Sequence, residues 1–416
     1  MEIKRDSYLE QLELRENNGM IKVITGVRRC GKSFLLFNLF KKHLLNRGVD
    51  DSHIISVALD GIENEELRDP HKLYNYINSL LINDEQYYIL LDEIQFVPRF
   101  PEVLNSLLRK ENVDVYVTGS NSRFLSSDIL TEFRGRGDEV RVYPLSFKEY
   151  CSVYNGTEED AWNEYLTFGG LPRILSMKTD EQKSKYLQDL FNETYIKDLV
   201  EHNKIKNSNE LEDLVNIIAS SIGSLVNSLK LSNTFHSVLK SDITDKTIKK
   251  YIDYLKEAFL VSSALRYDIK GKKYINTPFK LYFVDTGLRN ARLGFRQIEE
   301  THLMENIIYN ELCRRGYSVD VGELEISETV DGKKQRKKVE IDFIAYKGNN
   351  KFYIQSAYAL PTEGKRQQEV RPLLSVGDSF KKIIVVGNNI KLKRDDFGIT
   401  TMGIREFLLK ENSLEL

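Results

Sequence analysis

The chain has 416 residues, of which 41 % are hydrophobic and 29 % are charged, and its formal net charge is −2. At about 100–200 residues per domain this length predicts two to four domains, and the composition is that of a globular protein with hydrophobic cores. A net charge this small excludes a global field that would draw the chain onto nucleic acid, so any basic binding surface must be local.

Cysteines, histidines and apolar runs exclude further classes. The three cysteines, Cys30, Cys151 and Cys313, form no CxxC pair, which argues against a disulfide scaffold or a zinc ribbon and fits a reducing compartment. The six histidines are scattered singly, so no histidine-based metal site is expected. The charged N-terminus has no signal core, and no segment is long and apolar enough to span a bilayer. We therefore expect a cytoplasmic protein without membrane contact.

Residues 21–143 alternate short apolar runs with helical patterns. Such runs are typical of strands buried in a parallel sheet, and their alternation with helices predicts a doubly wound α/β fold with right-handed crossovers. The five predicted strands are 21–25, 53–59, 87–92, 113–119 and 139–143.

The pattern changes after Pro144. Residues 146–240 are predicted to be largely helical, and amphipathic spacing predicts a helix over 211–223. Two more helices near 232–239 and 245–258, followed by a hairpin over 261–276 that turns at Gly271, give the outline of a winged helix. The remaining residues predict a small α/β domain, with helices near 301–315, 363–375 and 404–410 and strands at 317–325, 339–346, 352–357 and 381–387.

One segment carries a complete phosphate-binding motif. Residues 26–33, GVRRCGKS, match GxxxxGK[ST] between a predicted strand and a predicted helix, which is the context that the motif needs. Glycines let backbone N–H groups wrap a phosphate, the helix N-terminus adds its positive dipole end, Lys32 can reach the β- and γ-phosphates, and Ser33 can ligate Mg²⁺. The predicted ATP-contacting residues are Gly26, Val27, Arg28, Arg29, Cys30, Gly31, Lys32, Ser33 and Phe34.

The third predicted strand ends in two carboxylates, Asp92 and Glu93. An aspartate at this place holds Mg²⁺, and a glutamate directly after it is the mark of NTPases that polarise the attacking water. We therefore predict Asp92 and Ser33 as metal ligands and Glu93 as the catalytic base. The alternative is an ordinary acidic strand terminus.

Two other places offer groups that could act on the γ-phosphate. The fourth strand ends in TGSN, where we select Ser120 as the polar residue beside the phosphate, with Thr118 and Asn121 as close alternatives. Arg134 and Arg136 precede the fifth strand, and a guanidinium there could stabilise transition-state charge in the same chain or in a neighbour. A turn sequence and a solvated basic loop are the alternatives.

At this point the chain resembles AAA-type ATPases of a large prokaryotic family. The matching segments are ITGVRRCGKS, LLDEIQ, VTGSNSRFL, GRGDEVRVYPLSFKEY and YLTFGGLP, in the right order within residues 1–175. The resemblance implies a five-stranded parallel AAA sheet, with Ser120 at the sensor position and Arg136 as an arginine-finger candidate. It also implies a following winged helix and a C-terminal domain similar to the PD-(D/E)xK restriction-endonuclease fold. The expected domains are thus 1–150, 151–295 and 296–416.

The C-terminal segment departs from the nuclease pattern. That pattern needs an Asp, then Glu-x-Lys on the next strand and a helix Glu, because carboxylates hold Mg²⁺ and the lysine aids the attacking water. Asp342 supplies the Asp and Glu305 is the helix candidate, but Gln355 and Ala357 stand in the Glu and Lys positions. A neutral amide is a poor Mg²⁺ ligand. We therefore expect a degenerate nuclease fold that serves binding or packing.

Basic residues of the predicted winged helix suit contact with DNA phosphates. A solvated surface is the alternative, because winged helices also bind proteins, and a second basic run at 333–338 is a candidate of the same kind. The candidate contacts are Lys246, Lys249 and Lys250 on the second helix and Lys270, Lys272 and Lys273 on the wing.

Three hypotheses follow from these motifs. The first, which we favour, is a Mg²⁺-dependent ATPase whose hydrolysis drives a conformational switch in response to DNA or a protein partner. The second is an ATP-regulated endonuclease that cuts through Asp342, and the third is an adaptor that binds ATP without hydrolysing it. Glu93 argues against the third, because a pure binder does not need that carboxylate. The sequence leaves open whether the protein is a monomer or an oligomer.

Overall fold

The computed structural model describes residues 2–119, 133, 135–330 and 333–416. A five-stranded parallel sheet forms the N-terminal part, with strand order β2-β3-β4-β1-β5. Its strands are β1 (Ile21–Thr25), β2 (Ile54–Ala58), β3 (Tyr87–Asp92), β4 (Val113–Thr118) and β5 (Gly137–Arg141). This confirms the predicted α/β class with a five-stranded parallel sheet, and the observed strands lie within about two residues of the predicted ones.

Alternating side chains explain why this sheet is covered on both faces. Along β1, Ile21 and Val23 pack into one core cluster and Ile24 packs into the other, as the two-residue period of a strand requires. Both faces are therefore apolar and must be buried by helices. The helices that flank this sheet are α1 (Asp6–Glu13), α2 (residues 32–46, with Leu35–Phe40 wound as π-helix), α3 (Pro70–Leu80) and α4 (Phe100–Leu107).

A helical region follows β5. Ser146 and Thr157 start its first two helices with capping boxes, in which each cap side chain and the side chain three residues later exchange hydrogen bonds with the backbone. The helices are α5 (Phe147–Cys151), α6 (Glu158–Phe168), α7 (residues 180–202), α8 (Ser208–Ser220), α9 (residues 228–239) and α10 (Asp245–Glu257).

A nine-stranded sheet continues from this region to the C-terminus, in the order β13-β14-β12-β11-β10-β9-β7-β8-β6. Three of its strands precede residue 295, and they are β6 (Leu225–Val226), β7 (Val261–Asp268) and β8 (Lys273–Phe283). Six follow: β9 (Ser318–Val330), β10 (Lys333–Lys347), β11 (Asn350–Ala357), β12 (Lys381–Val386), β13 (Lys393–Arg394) and β14 (Ile399–Gly403). The remaining helices are α11 (Thr286–Arg292), α12 (Glu300–Arg314), α13 (Glu363–Leu374) and α14 (Ile404–Leu409).

The nine-stranded sheet has one junction that the sequence did not suggest. Strand β7 pairs in parallel with β9, so that Arg266 stands opposite Val321 and Asp268 stands opposite Glu323. The hairpin β7–β8 was expected to be the wing of a separate winged helix, but backbone hydrogen bonds join it to the C-terminal strands. The division at residue 295 therefore falls between two helices, α11 and α12, and does not separate two sheets. Within the described ranges, no helix combines the length and the apolar character needed to cross a membrane.

Candidate nucleotide-binding site

The phosphate-binding motif forms a loop between β1 and α2. Gly26 has φ of 139° and Gly31 has φ of 103°, conformations that other residues rarely adopt. A Cβ on Gly26 would stand 2.1 Å from the Val142 carbonyl oxygen, so glycine is required there on steric grounds as well. Lys32 is buried, and its ammonium donates hydrogen bonds to the carbonyl oxygens of Gly26 (3.0 Å) and Val27 (3.1 Å). Two carbonyl oxygens of the loop thus bind the Lys32 ammonium.

Asp92 lies at the carboxyl end of β3, beside the start of α2. Its side chain is buried, and burial raises the pKa of this carboxyl group while hydrogen bonds from the hydroxyls of Thr118 and Ser33 lower it. No ion pair to Asp92 appears within the described part of the chain. A buried carboxylate next to a serine hydroxyl and without a basic partner is a natural place for a cation.

Thr118, at the end of β4, connects the two adjacent carboxylate residues. Its hydroxyl donates a hydrogen bond to Asp92 and accepts one from the backbone N–H of Glu93 (3.1 Å). Glu93 itself has φ of 54°, a strained value for a non-glycine residue. Its carboxylate accepts a hydrogen bond from the Gln95 amide. Thr118, which the sequence analysis gave as an alternative to Ser120, thus contacts both Asp92 and Glu93.

A cavity of about 500 Å³ opens beside the loop. This volume lies within the usual range for a small-molecule site. One wall holds Arg29, Gly31, Lys32, Ser33, Phe34 and Glu93, all close to the phosphate loop. The other lining residues come from the N-terminal segment and from the residues that follow β5, and they are Ile3, Arg5, Leu145, Pro172, Arg173 and Ser176. The cavity thus has a polar end at the loop and a mixed apolar wall contributed by the N-terminus and by residues 172–176.

Arg5 links the N-terminal segment to the phosphate loop and to the chain that follows β5. Its buried guanidinium donates to the carbonyl oxygens of Cys30 (3.2 Å) and Tyr143 (2.8 Å) and forms an ion pair with Glu149 (2.9 Å). Burial is the largest effect and opposes the charge on Arg5, but Glu149, Tyr8 and Cys30 together outweigh burial, so the pKa of Arg5 is raised. The N-terminal segment therefore stabilises the phosphate loop through the Cys30 carbonyl oxygen.

Asp285 fixes the turn that carries Pro172 and Arg173. Its buried carboxylate accepts hydrogen bonds from the N–H groups of Gly170 (2.7 Å) and Leu288 (3.0 Å). Burial raises the pKa of Asp285 to about 6, although these backbone donors lower it. The side chain therefore caps α11 and tethers the 169–172 turn at the same time.

Helix α7 contacts the phosphate loop from the helical region. The Tyr195 hydroxyl donates to the Arg28 carbonyl oxygen at 2.7 Å, and the Arg28 guanidinium pairs with Asp198 at 2.6 Å. Arg28 thus points away from the cavity, whereas Arg29 lines it. Sequence reasoning could not assign a direction to either arginine.

Two of the sequence predictions concern residues that act on the γ-phosphate, one at the end of β4 and one before β5. Ser120, Asn121 and Arg134 lie outside the described residues. Arg136 is exposed and donates to the Asn105 side chain at 3.3 Å, and its carbonyl oxygen accepts from the N–H of Ile21, the first residue of β1. It therefore lies at the amino end of the sheet, and β1, rising about 3.3 Å per residue, separates it from the phosphate loop of its own chain.

The three candidates for a degenerate nuclease site lie on two strands of the nine-stranded sheet, Asp342 on β10 and Gln355 on β11, and on helix α12, which carries Glu305. Gln355 accepts a hydrogen bond from the Asp342 backbone N–H (3.4 Å). Glu305 and Asp342 form ion pairs with the same lysine. That lysine, Lys280 on β8, was missed by the sequence analysis, since strand period and spacing gave no reason to connect it with Glu305.

The candidate nucleic-acid residues are on the surface. Lys246, Lys249, Lys250, Lys272 and Lys273 are exposed. Lys270 donates to the Glu325 carbonyl oxygen at 2.8 Å. In the second basic run, Arg336 and Lys338 form ion pairs with Glu325 and Glu323 across the β9–β10 pair. Acidic neighbours thus neutralise part of that run.

Comparison with known proteins agrees with this geometry. Residues 18–151 match the model of an AAA domain, and residues 159–299 match a domain of unknown function, DUF8612. An uncharacterized protein of Haemophilus influenzae is 34 % identical over 414 residues, which is 98 % of this chain and 99 % of the relative. An uncharacterized protein of Methanocaldococcus jannaschii is 29 % identical over 376 residues, covering 86 % of this chain and 79 % of the relative. The structure of the Aeropyrum pernix ORC1 protein in complex with DNA is similar at 13 % identity and a TM-score of 0.29, over 70 % of this chain and 92 % of that one.

Proposed function

The chain belongs to the same family as its Haemophilus influenzae relative and carries an AAA domain, and from this premise we propose that it is a Mg²⁺-dependent ATPase that acts as a nucleotide-driven switch. The observation that carries the proposal is the contact of Thr118 with both Asp92 and Glu93 beside the phosphate loop. This contact supports a role for Asp92 in metal binding and for Glu93, which lines the cavity, in polarising water.

The residues at this end fit a magnesium-bound triphosphate. Ser33 and Asp92 offer a hydroxyl and a buried carboxylate that already share a hydrogen bond, and hard oxygen donors are what Mg²⁺ selects. When bound, the ion would neutralise charge on the β- and γ-phosphate oxygens. Lys32 would exchange its bonds to the Gly26 and Val27 carbonyl oxygens for phosphate oxygens. Glu93 would accept a proton from the attacking water.

The hydrogen bond from Gln95 to Glu93 supports a gated reaction. While the Gln95 amide donates to Glu93 Oε2, that oxygen is engaged and does not accept a hydrogen bond from water. Rotation of either side chain would release Oε2 from Gln95 and let it contact water. We propose that this rotation accompanies nucleotide binding.

The switch part of the proposal rests on contacts between the helical region and the cavity. Tyr195 and Asp198 of α7 contact Arg28 of the phosphate loop, and Pro172, Arg173 and Ser176 line the cavity. A triphosphate in the cavity would contact both the loop and these residues and so favour one position of the helical region. The three-domain division, with the winged helix at 151–295 contacting DNA or a protein partner and the segment 296–416 as a degenerate nuclease fold, is part of the same proposal.

Arg136 enters the proposal as a residue that acts between copies. Its place at the amino end of β1 is far from the phosphate loop of its own chain, so it can reach a nucleotide only in a neighbouring chain. Such an arginine stabilises transition-state charge on the γ-phosphate. This reading requires an oligomer in the active state.

The test is release of phosphate from Mg-ATP by the full chain, with and without duplex DNA, beside separate measurement of ATP binding. Lys32→Ala should abolish both binding and release, and Glu93→Gln should keep binding while release falls by about 10²–10³-fold. Lys42→Ala and Glu102→Gln are matched controls, because both residues are exposed and lie outside the cavity wall, and both should behave like wild type.

The remaining outcomes separate the alternatives. Binding of ATP without release in wild type and in Glu93→Gln alike, with and without DNA, would leave the non-hydrolysing adaptor as the better description. Release that does not change with DNA would keep the ATPase and remove DNA as the sensed partner.

A further inference from the structure

Lys280 is the centre of a buried ion cluster at the junction between the hairpin β7–β8 and the C-terminal strands. Its ammonium lies 2.9 Å from Glu305 on α12, 2.7 Å from Glu340 on β10 and 3.5 Å from Asp342 on the same strand. Only 3 % of the lysine side chain is exposed. Three carboxylates from two elements therefore surround one nitrogen.

The charges of this cluster require the lysine to stay protonated. Burial opposes the ammonium, but Glu305, Asp342 and Glu340 together outweigh burial, so the pKa of Lys280 is raised. Burial also raises the pKa of Glu305, with the Asp342 charge adding to the effect and Lys280 opposing it. One ammonium thus faces more negative charge than it can balance, and the cluster holds its cation firmly.

The oxygen atoms that a metal ion would need are already engaged. Glu305 Oε1 accepts from both Lys280 and the Tyr282 hydroxyl (2.7 Å). Asp342 Oδ2 accepts from the Ser356 backbone N–H at 2.9 Å. Within the described ranges, no group of three or more His, Cys, Asp or Glu side chains is arranged to hold a metal ion.

Gln355, the third residue of the nuclease pattern, has a different use. Its Nε2 donates to Glu369 on α13 at 3.0 Å, and Glu369 pairs with Lys365 at 2.6 Å. The amide therefore joins α13 to β11 and is not free to turn its oxygen toward a cation. The residues present do not fit the Mg²⁺ that the nuclease resemblance implies.

We propose that Lys280 is the resident cation of this cluster, standing where a divalent metal would have to stand, and that the cluster is a metal-free latch between β8 and the C-terminal domain. A metal ion bound at about 2.0–2.6 Å from carboxylate oxygens would overlap the space of an ammonium that lies about 3 Å from the same groups, and two cations would repel each other there. Metal and lysine are therefore mutually exclusive. This inference is independent of ATP hydrolysis.

The latch explains how the hairpin is attached. Arg266 on β7 forms a second ion pair across the junction, with Glu323 on β9 at 2.8 Å. Both cations come from the hairpin and their acidic partners from residues beyond 295. The charges thus specify which hairpin face meets the C-terminal strands, in addition to the β7–β9 backbone bonds.

The test is Mn²⁺ binding to the full nucleotide-free chain, followed by electron paramagnetic resonance in an Asp92→Asn background that disables the nucleotide-site metal. With Lys280 intact, we expect no saturable Mn²⁺ site. Lys280→Ala should gain one site that binds Mn²⁺ at least about tenfold more tightly, and adding Asp342→Asn should remove it. Lys338→Ala is the matched control, because it removes an exposed ion pair on the same strand as Asp342, and it should gain no site.

Two results would overturn the proposal. One is a saturable Mn²⁺ site in the Lys280-intact chain that disappears on Asp342→Asn, and the other is Mg²⁺-dependent cleavage of DNA by wild type that the same substitution abolishes. If Lys280→Ala fails to fold, the Lys280-intact chain with and without Asp342→Asn still decides the question. Thermal unfolding of the Asp92→Asn chain should then be unchanged by EDTA or millimolar Mn²⁺.

Discussion

Replacing Asp285 by alanine should destabilise the protein and weaken ATP binding together. The carboxylate accepts two backbone hydrogen bonds, one from Gly170 in the turn that carries the cavity wall and one from Leu288 at the start of α11. Without it, both N–H groups remain buried and have no acceptor. The turn that presents Pro172 and Arg173 loses its tether.

The magnitude follows from the donors that the substitution leaves unpaired. Each buried N–H group without an acceptor costs about 1–3 kcal/mol, so two of them cost about 2–6 kcal/mol. Removal of the charge offsets part of this cost at pH 7, because the pKa of Asp285 is raised to about 6 in the fold by burial and its ionisation therefore opposes folding. The expected loss is about 3 kcal/mol in the free energy of unfolding.

The assay is urea unfolding at pH 7, beside ATP affinity measured by calorimetry. Asp69→Ala is the matched control, because Asp69 also caps a helix through two backbone N–H groups but is exposed. It should lose clearly less stability and keep its ATP affinity. A loss for Asp285→Ala no larger than that of the control, or a loss of stability with ATP affinity unchanged, would refute the reasoning about the tethered turn.

Three further predictions concern catalysis and pH. Thr118→Val should lower phosphate release by about 10–100-fold, because it removes a group that positions Glu93. ATP affinity in calorimetry should stay within about threefold, because no phosphate-loop contact is lost. A loss of affinity equal to the loss of rate would contradict this prediction. Arg136→Ala should bind ATP without releasing phosphate, and mixing it with inactive Lys32→Ala should restore release at mixed interfaces; no recovery would argue against action between chains. The pKa of Asp285 is raised in the folded state, to about 6, so its ionisation opposes folding. Wild type should therefore lose stability relative to Asp285→Asn as pH rises from about 4 to 6, and the difference should stay level above about pH 6. A constant difference in urea unfolding across this range would contradict the shift.

The parallel sheet was predictable because its signals are local. Each strand is a short apolar run buried on both faces, as in Tyr87–Asp92, and the phosphate loop is a contiguous motif. The same locality limits the site assignment. Thr118 and Ser120 are both polar residues at one strand end, and only the fold shows that Thr118 reaches both Asp92 and Glu93.

Contacts between residues far apart in the chain could not be predicted from the sequence. Lys280 looks like one more lysine of a hairpin, and its partners come 25 to 62 residues later. Asp285 and Gly170 are 115 residues apart, so nothing in either segment alone points to the other. The spacing of hydrophobic residues identifies the buried face of a helix or strand, but it does not identify which polar residue of another segment contacts that face.

The β7–β9 pairing also bears on how this chain can be divided in the laboratory. The family match to DUF8612 ends at residue 299, but backbone hydrogen bonds tie Arg266–Asp268 to Val321–Glu323 beyond that limit. A fragment cut there would expose β7 as an open strand edge, and open edges recruit other chains and aggregate. We expect that a soluble fragment must keep β7 and β9 together. Similarity between sequences therefore marks an inherited segment here, whereas the hydrogen-bonded sheet crosses the boundary of that segment.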